Sequence, residues 1–531
     1  MTRSRNILEN WRTTRLDRRR FLYLAGGAAG LALASQLPLQ TSLAAPKFNA
    51  NPFTLGVASG DPLPRSVVLW TRLAPDPLNG GGMPAQIVPV EWELAADEGF
   101  KTIAQRGIEI ATPDLGHAVH AEVLGLEPDR WYWYRFRVGS EISPIGRTRT
   151  LPAFAAAPPR LRFAFASCQN YSQGYYAAYA GMAEEDLDFV IHLGDYIYEG
   201  RGGTGTVRIH EGEGEPEDVV GYRNRYAQYR LDPNLQAAHA AFPFITTWDD
   251  HEVDNDYAGP YAQDFVDPTA FLERRAAAYQ VYYEMLPLRR ISIPSGPDMQ
   301  LYRGFQFGDL AAFSVLDTRQ YRDDQACPTS TRGGGRLVDA EECPEIFDES
   351  RSILGAEQEQ RLFEALDRST ARWNVIAQQL KMAELEESPG PGAAYWTDGW
   401  DGYWANRQRI LDFIAARRPA NPVVISGDIH TYWVNDMLAD FAQPDSEVIG
   451  SEFVGTSISS RGSNFSRFLP ENPHIKYHEW RYRGYVRCEV DHALWRSDFR
   501  VVDSVETPDS PTWTLASWVV EDGKPGPQRD G

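Results

Sequence analysis

Only four of the 531 residues are cysteine, and positive charge is scarce: 52 Lys and Arg stand against 73 Asp and Glu, a formal net charge of −21. Residues 1–44 hold seven Arg and two acids, so the remainder carries −26. A surface this acidic repels nucleic acid and anionic membranes and suits a protein that works among cations. Beyond residue 44 there is no run of the ~20 apolar residues that a membrane span requires, so no stable membrane anchor is expected. The chain also lacks a GxxxxGK[ST] phosphate loop and a GxSxG nucleophile elbow, which removes the reactions built on either. Asp254 and Asp256 followed by Gly259 resemble the start of a calcium loop, but the twelfth position counted from Asp254 is Phe265, which excludes an EF-hand. There are no internal repeats.

The chain does have enough apolar residues, 43%, for a large core, and its length favours more than one domain. The amino terminus reads as an export signal. Arg18-Arg19-Arg20-Phe21-Leu22 precedes an apolar Ala/Gly/Leu segment reaching Leu37, and Ser42-Leu43-Ala44 stands before Ala45. Paired arginines before Phe-Leu resemble a twin-arginine signal, which predicts export of a folded protein by that machinery to the periplasm or outside. An ordinary secretory signal or an uncleaved anchor is the alternative. Cys327 and Cys343 flank a Gly/Thr/Arg-rich loop that an oxidising compartment would allow them to close. Cys488 sits in an alternating strand-like stretch, whereas Cys168 ends a strand beside other candidate residues.

Residues 45–155 show short alternating runs between Gly/Pro/Asp turns and predict an N-terminal immunoglobulin- or fibronectin-like β-sandwich that positions rather than reacts. Phe154–Pro159 reads as a linker. From 160 to 507 the rhythm becomes strand, loop, helix, with helices predicted at 174–184, 219–230, 268–284, 356–369 and 404–417. Gly200–Asp218 and Arg322–Ser350 read as surface insertions, and residues 508–531, rich in Pro, Gly and Asp, as a loose tail.

Acidic and metal-capable residues fall at the ends of short apolar runs. Phe163-Ala164-Phe165-Ala166 leads to Cys168, Phe189-Val190-Ile191-His192-Leu193 to Asp195, and Phe244-Ile245-Thr246-Thr247-Trp248 to Asp249-Asp250-His251. Trp373–Ala377 leads to Gln378-Gln379, and Val423-Val424-Ile425 to Asp428 and His430. In α/β folds sites form outside the carboxyl ends of strands, so these runs predict one shared site holding a cluster of metal ions. Asp195 and Tyr198, three apart, fit one side of a turn, and Asp428 and His430, two apart, face one way if the segment stays extended. Alone, Tyr198 reads as a core tyrosine and Cys168 as a buried thiol; together with Asp195 and His430 they read as ligands.

Ser167-Cys168-Gln169, HLGDYIYE (192–199), WDDHE (248–252), LDTRQYR (316–322) and SGDIHTYW (426–433), with LGVASGDP (55–62) upstream, resemble the PhoD-type alkaline phosphatases over nearly the whole chain after the signal. These look like relatives of purple acid phosphatases and other calcineurin-like metallophosphoesterases. The resemblance implies an α/β fold of two packed β-sheets flanked by helices. It implies that Asp195 bridges metals, with Cys168, Tyr198 and His430 completing a site for Fe³⁺. Asp250 and Asp428 stand where many metallophosphoesterases place Asn and His; oxygen in place of nitrogen favours Ca²⁺ over Zn²⁺ in that half, with two such ions expected. Asn255 and Gln379 are further candidate ligands.

The implied reaction is hydrolysis of a phosphate ester by a metal-bound hydroxide or oxo group, without a covalent enzyme intermediate, in a monomer that scavenges phosphate. His251 is the candidate that hydrogen-bonds a phosphate oxygen or protonates the leaving group. Arg319 is a candidate phosphate clamp, the alternative being a structural ion pair near Asp317. Tyr432 and Trp433 are candidates for a pocket wall or for packing. A phosphodiesterase or phospholipase acting on extracellular polymers or lipids is the alternative enzyme, and an exported cation-binding or adhesion protein the alternative outside enzymes.

Overall fold

The computed structural model describes residues 48, 50–202, 205–212, 214–443 and 445–530. The expected export signal, residues 1–44, lies outside the described residues. Strand periodicity explains the layering. In Leu161–Ala166, Phe163 and Phe165 face one way, into a core shared by two sheets, while Ala164 and Ala166 face helices. The neighbouring strands Phe189–His192 and Pro243–Thr246 divide likewise, Ile191 and Ile245 to the inter-sheet core and Val190 and Phe244 to the helices.

These three strands run parallel at the centre of a ten-stranded sheet. Across the inter-sheet core lies a seven-stranded sheet whose centre is four parallel strands: Ala311–Val315, Trp373–Ala377, Pro422–Ser426 and Val448–Val454. Phe313, Val375, Val423 and Ile425 fill the shared layer from that side, each fully buried side chain of this size contributing about 1.5–3 kcal/mol. Helices Ala177–Ala183, Val219–Arg230 and Pro268–Met285 cover the larger sheet with a Tyr-rich layer, and Gly355–Arg368 and Trp404–Arg417 cover the smaller. The result is the expected sandwich of two sheets between helices. Caps mark helix starts: Asp218 accepts from Gly221 N at 2.8 Å, and Asp267 accepts from Thr269 N at 2.9 Å just before Pro268. A helix absent from the sequence reading, Pro233–Ala241, starts the same way on Asp232.

The N-terminal β domain is present, with one refinement, and one expectation needs correction. One of the two sheets of the N-terminal domain is continuous with the large sheet. Val57–Leu63, Ser66–Arg72 and Ala118–Leu124 extend the ten-stranded sheet, Ser59 pairing with Pro243 and Gly60 with Phe244, while the other strands of the region form a separate five-stranded sheet. Residues 508–531 are not a loose tail. Thr512–Glu521 and Lys524–Arg529 are the last two strands of the large sheet, and Ala516, Trp518 and Val520 alternate into the inter-sheet core; this period-2 pattern outweighs the flanking Pro and Gly. Cys327 and Cys343 are disulfide-bonded, and Cys168 and Cys488 are buried thiols. Among the described residues no helix is long and apolar enough to cross a membrane.

Candidate metal centre

The parallel strands of both sheets end on the same edge, and the loops that follow them are stitched together. Cys168 N donates to Gly194 O at 3.0 Å, and Gly427 N to Gln379 O at 2.8 Å. The approach is close enough to require glycine. A Cβ on Gly194 (φ +118°) would lie 2.6 Å from Asp249 N, and one on Gly427 would lie 2.2 Å from Ser167 Oγ. The residues facing the cleft pay a conformational cost: Cys168 (φ 60°), Asp195 (55°), Asp428 (61°) and His430 (59°) all adopt the left-handed region, which is uphill for side chains other than glycine.

This backbone brings the chemistry together. Ligand atoms lie within 4.8 Å of one another in three overlapping groups: Cys168, Asp195 and His430; Asp195, Asp250 and His251; Asp249, Asp250 and Asp428. Tyr198 joins the first, its hydroxyl 2.8 Å from Asp195 Oδ2 and 3.1 Å from His430 Nε2. His430 Nδ1 donates to Arg461 O at 3.0 Å, so the ring carries its proton there and turns the Nε2 lone pair to the site. Burial holds this imidazole neutral, down to about 4. Asp195 Oδ1 is buried with no hydrogen-bond partner, and sulfur, phenol, carboxylate and imidazole converge on it; this donor set fits metal ions.

Electrostatics point the same way. Burial, and then the crowding of Asp250, Asp249 and Glu252, pushes the Asp195 carboxyl far above its ordinary range, against the pull of His251. Burial raises the Cys168 thiol and the Tyr198 phenol as well, each further raised by Asp195. Desolvation within the cleft, with Asp250 and Asp195 beside it, carries Asp428 up to about 8, although 36% of its side chain stays exposed and Arg319 pulls it down. Asp250 is the exception, held well below the carboxylate range by Arg319 and His251 in spite of its burial. Such a set ionises together only around a compensating positive charge.

His251 lies at the mouth with its ring 4.1 Å from that of Tyr198, and Glu199 Oε2 takes its Nδ1 at 2.6 Å, which leaves Nε2 for the cleft. Burial disfavours the imidazolium, but Glu199, Asp250 and Asp195 raise its pKa well above the usual value. Arg319 is wholly buried and already engaged: Nε pairs with Asp249, Nη1 with Asp398 at 2.8 Å, and only Nη2 is left, 3.8 Å from both Asp250 and Asp428. Asp317 accepts the Arg319 backbone N rather than its side chain.

Gln379 is fully occupied. Its oxygen accepts from Thr318 N and Oγ1, and its nitrogen donates to Thr247 Oγ1 and Leu316 O, tying together strand ends of the two sheets. Asn255 donates from Nδ2 to Gln263 and from its backbone to Glu199. Tyr432 and Trp433 are packing residues, fully buried. Glu199 lies in HLGDYIYE and Asp249 and Glu252 in WDDHE, where residue type alone assigns them no role, and Asp398 lies in a stretch with no strand-end signal.

Two helix-flanked sheets that focus carboxylates, a thiol, a phenol and imidazoles on one edge form a candidate metal centre. Comparison with known proteins gives the particular lineage. The family model described as "PhoD-like phosphatase" matches residues 163–499, and that of the "PhoD-like phosphatase, N-terminal domain" matches residues 39–152. Alkaline phosphatase D of Bacillus subtilis (strain 168) is 50% identical over 533 residues, covering 98% of this chain and 90% of the relative. The solved structure of PhoD superposes with a TM-score of 0.87 at 51% identity, covering 92% of this chain and 94% of that one. The chain belongs to the PhoD-like phosphatase family, and it is a phosphoric ester hydrolase.

Proposed function

We propose that this is an exported alkaline phosphatase that releases inorganic phosphate from phosphate monoesters, for phosphate scavenging, in a mixed iron and calcium centre. The observation that carries the reading is the sharing of Asp195 between two donor groups, one with the thiol, phenol and imidazole and one with Asp250 and His251. Cys168, Asp195, Tyr198 and His430 would hold Fe³⁺, because thiolate and phenolate are strong anionic donors. Asp250 and Asp428, with Asp195 between the halves, offer the oxygen-only set that suits Ca²⁺. Asn255 remains a candidate on the calcium side. Gln379, whose four hydrogen bonds are all made, acts as a tie between strand ends.

Ions bound here supply neutralisation of the phosphoryl oxygens and activation of water. The chain's own residues do the rest. Glu199 fixes the His251 ring, so that Nε2 presents a proton to a phosphoryl oxygen or to the leaving alcohol. Arg319 holds Asp249 and leaves Nη2 between Asp250 and Asp428, keeping the carboxylates spread beneath the substrate. His430, fixed by Arg461 O, keeps its acceptor nitrogen in the site.

The test is elemental analysis of protein purified without added metal, with a panel of mono- and diesters. One iron and about two calcium ions per chain, with preference for monoesters, is the expected outcome. Calcium chelation is expected to suppress turnover and leave the visible tyrosinate–iron colour in place. A colourless, fully active protein holding only zinc overturns the ferric assignment.

A further inference from the structure

Glu252 is buried, 1% exposed, within two residues of Asp250, yet its side chain faces away from the candidate ligands. Its carboxylate accepts three backbone N–H groups: Oε2 takes Asp195 N at 3.1 Å and Asp249 N at 2.8 Å, and Oε1 takes Tyr196 N at 2.5 Å. Among the described residues it has no ion-pair partner with an opposite charge. Two of these donors are consecutive, and the left-handed backbone at Asp195 turns the N–H groups of 195 and 196 the same way, a concavity of the kind that binds anions. The third comes from the loop after the adjacent parallel strand. One carboxylate therefore clamps two metal-facing loops from behind, at the point where Gly194 lets them touch.

From this geometry we infer that Glu252 is a positioning residue, setting the spacing of Asp195 and Asp250 by gripping the N–H groups of 195, 196 and 249. The inference rests on the metal-centre reading above. A carboxylate is the fitting group here because it only accepts, whereas an amide of the same shape would turn a donor toward at least one of the three N–H groups. The effect on the centre is indirect, and partners of this outer kind typically change metal affinity or activity by about 10–100-fold.

The experiment compares wild type with Glu252→Gln and uses Glu452→Gln as a control. Glu452 is an equally buried carboxylate on the seven-stranded sheet, which accepts from Met382 N and Ala383 N. Chelator-treated protein is titrated with Ca²⁺ by calorimetry, and iron per chain, visible absorbance, kcat and KM are measured on untreated protein. Glu252→Gln is expected to weaken Ca²⁺ binding and lower kcat by about 10–100-fold with KM little changed, and to shift the visible band, whereas Glu452→Gln lowers the melting temperature alone. A Glu252→Gln protein with wild-type Ca²⁺ affinity, band and kcat, whatever its melting temperature, overturns the proposal. If Glu252→Gln is recovered unfolded, Glu252→Asp, which keeps the charge but is one methylene short, is judged on the same readouts; failure of both to fold overturns the proposal in favour of a purely structural role. Failure of the parent reading is distinguishable, because wild-type phosphate release would then be independent of metal before any variant is compared.

Discussion

The two sheets make unequal contributions to one site. The ten-stranded sheet delivers Cys168, Asp195 and Asp250, all nearly inaccessible, at 1%, 1% and 3% exposure. The seven-stranded sheet delivers the buried Arg319 but also Asp428, with 36% of its side chain exposed, and the half-buried His430. On the proposed reading the first sheet is thus the floor, where the candidate ligands are desolvated and fixed before anything binds, and the second is the wall that substrate and water would pass. The lesson is that a cation held mainly by the floor should be hard to remove, and one leaning on the wall should exchange.

The largest effect expected on that contrast comes from Asp195→Ala, which should reduce phosphate release to background and deplete iron. Asp428→Asn should retain iron and colour while kcat falls by roughly 10²–10³-fold. Iron loss in Asp428→Asn equal to that in Asp195→Ala would erase the distinction between floor and wall. Next, Arg319→Met leaves Asp249 buried without its ion-pair partner and leaves Asp398 to Arg322 alone, and is expected to cost about 3–5 kcal/mol in urea unfolding; a loss below about 1 kcal/mol would mean that the arginine is not what holds the floor together.

Removal of the disulfide by Cys327→Ser with Cys343→Ser should cost up to about 3 kcal/mol, as expected for a loop of about 15 residues, read as a lower melting temperature that a reducing dithiol no longer changes. Arg332 and Gly335 of that loop hold Asp256 Oδ2 at 2.7 and 3.0 Å, and Asp256 N donates to Asp250 Oδ2 at 2.7 Å, so the loss should be accompanied by weaker calcium binding. The smallest effect is expected from Gln379→Leu, about 1–3 kcal/mol from unsatisfied neighbours with metal content unchanged. A fall in metal content there would restore Gln379 as a ligand.

Much of the floor was legible in the sequence, because each of its strands is a short, continuous apolar run and the residue after it stands out in type. Phe163–Ala166 before Cys168 and Phe189–Leu193 before Asp195 are such cases, and both were placed correctly at one edge. Helices were readable from pattern, Val219–Arg230 and Trp404–Arg417 matching to the residue. What was hidden depended on pairing between distant segments. Nothing in Val57–Leu63 announces that it will lie beside Pro243–Thr246, and nothing near Arg319 announces Asp398, 79 residues later. Glu252 was hidden differently: it sat in a quoted motif, but its role is to accept from main-chain groups, and residue type does not reveal which N–H groups a fold leaves for it.

The left-handed backbone at Cys168, Asp195, Asp428 and His430 sets a limit on how this protein can be improved. Each residue sits where glycine would relieve roughly 1–2 kcal/mol of local strain, and glycine there also deletes a donor from the site. Selection for heat resistance alone would therefore be drawn to the four positions that the proposed centre can least give up, so durability and turnover must be screened together.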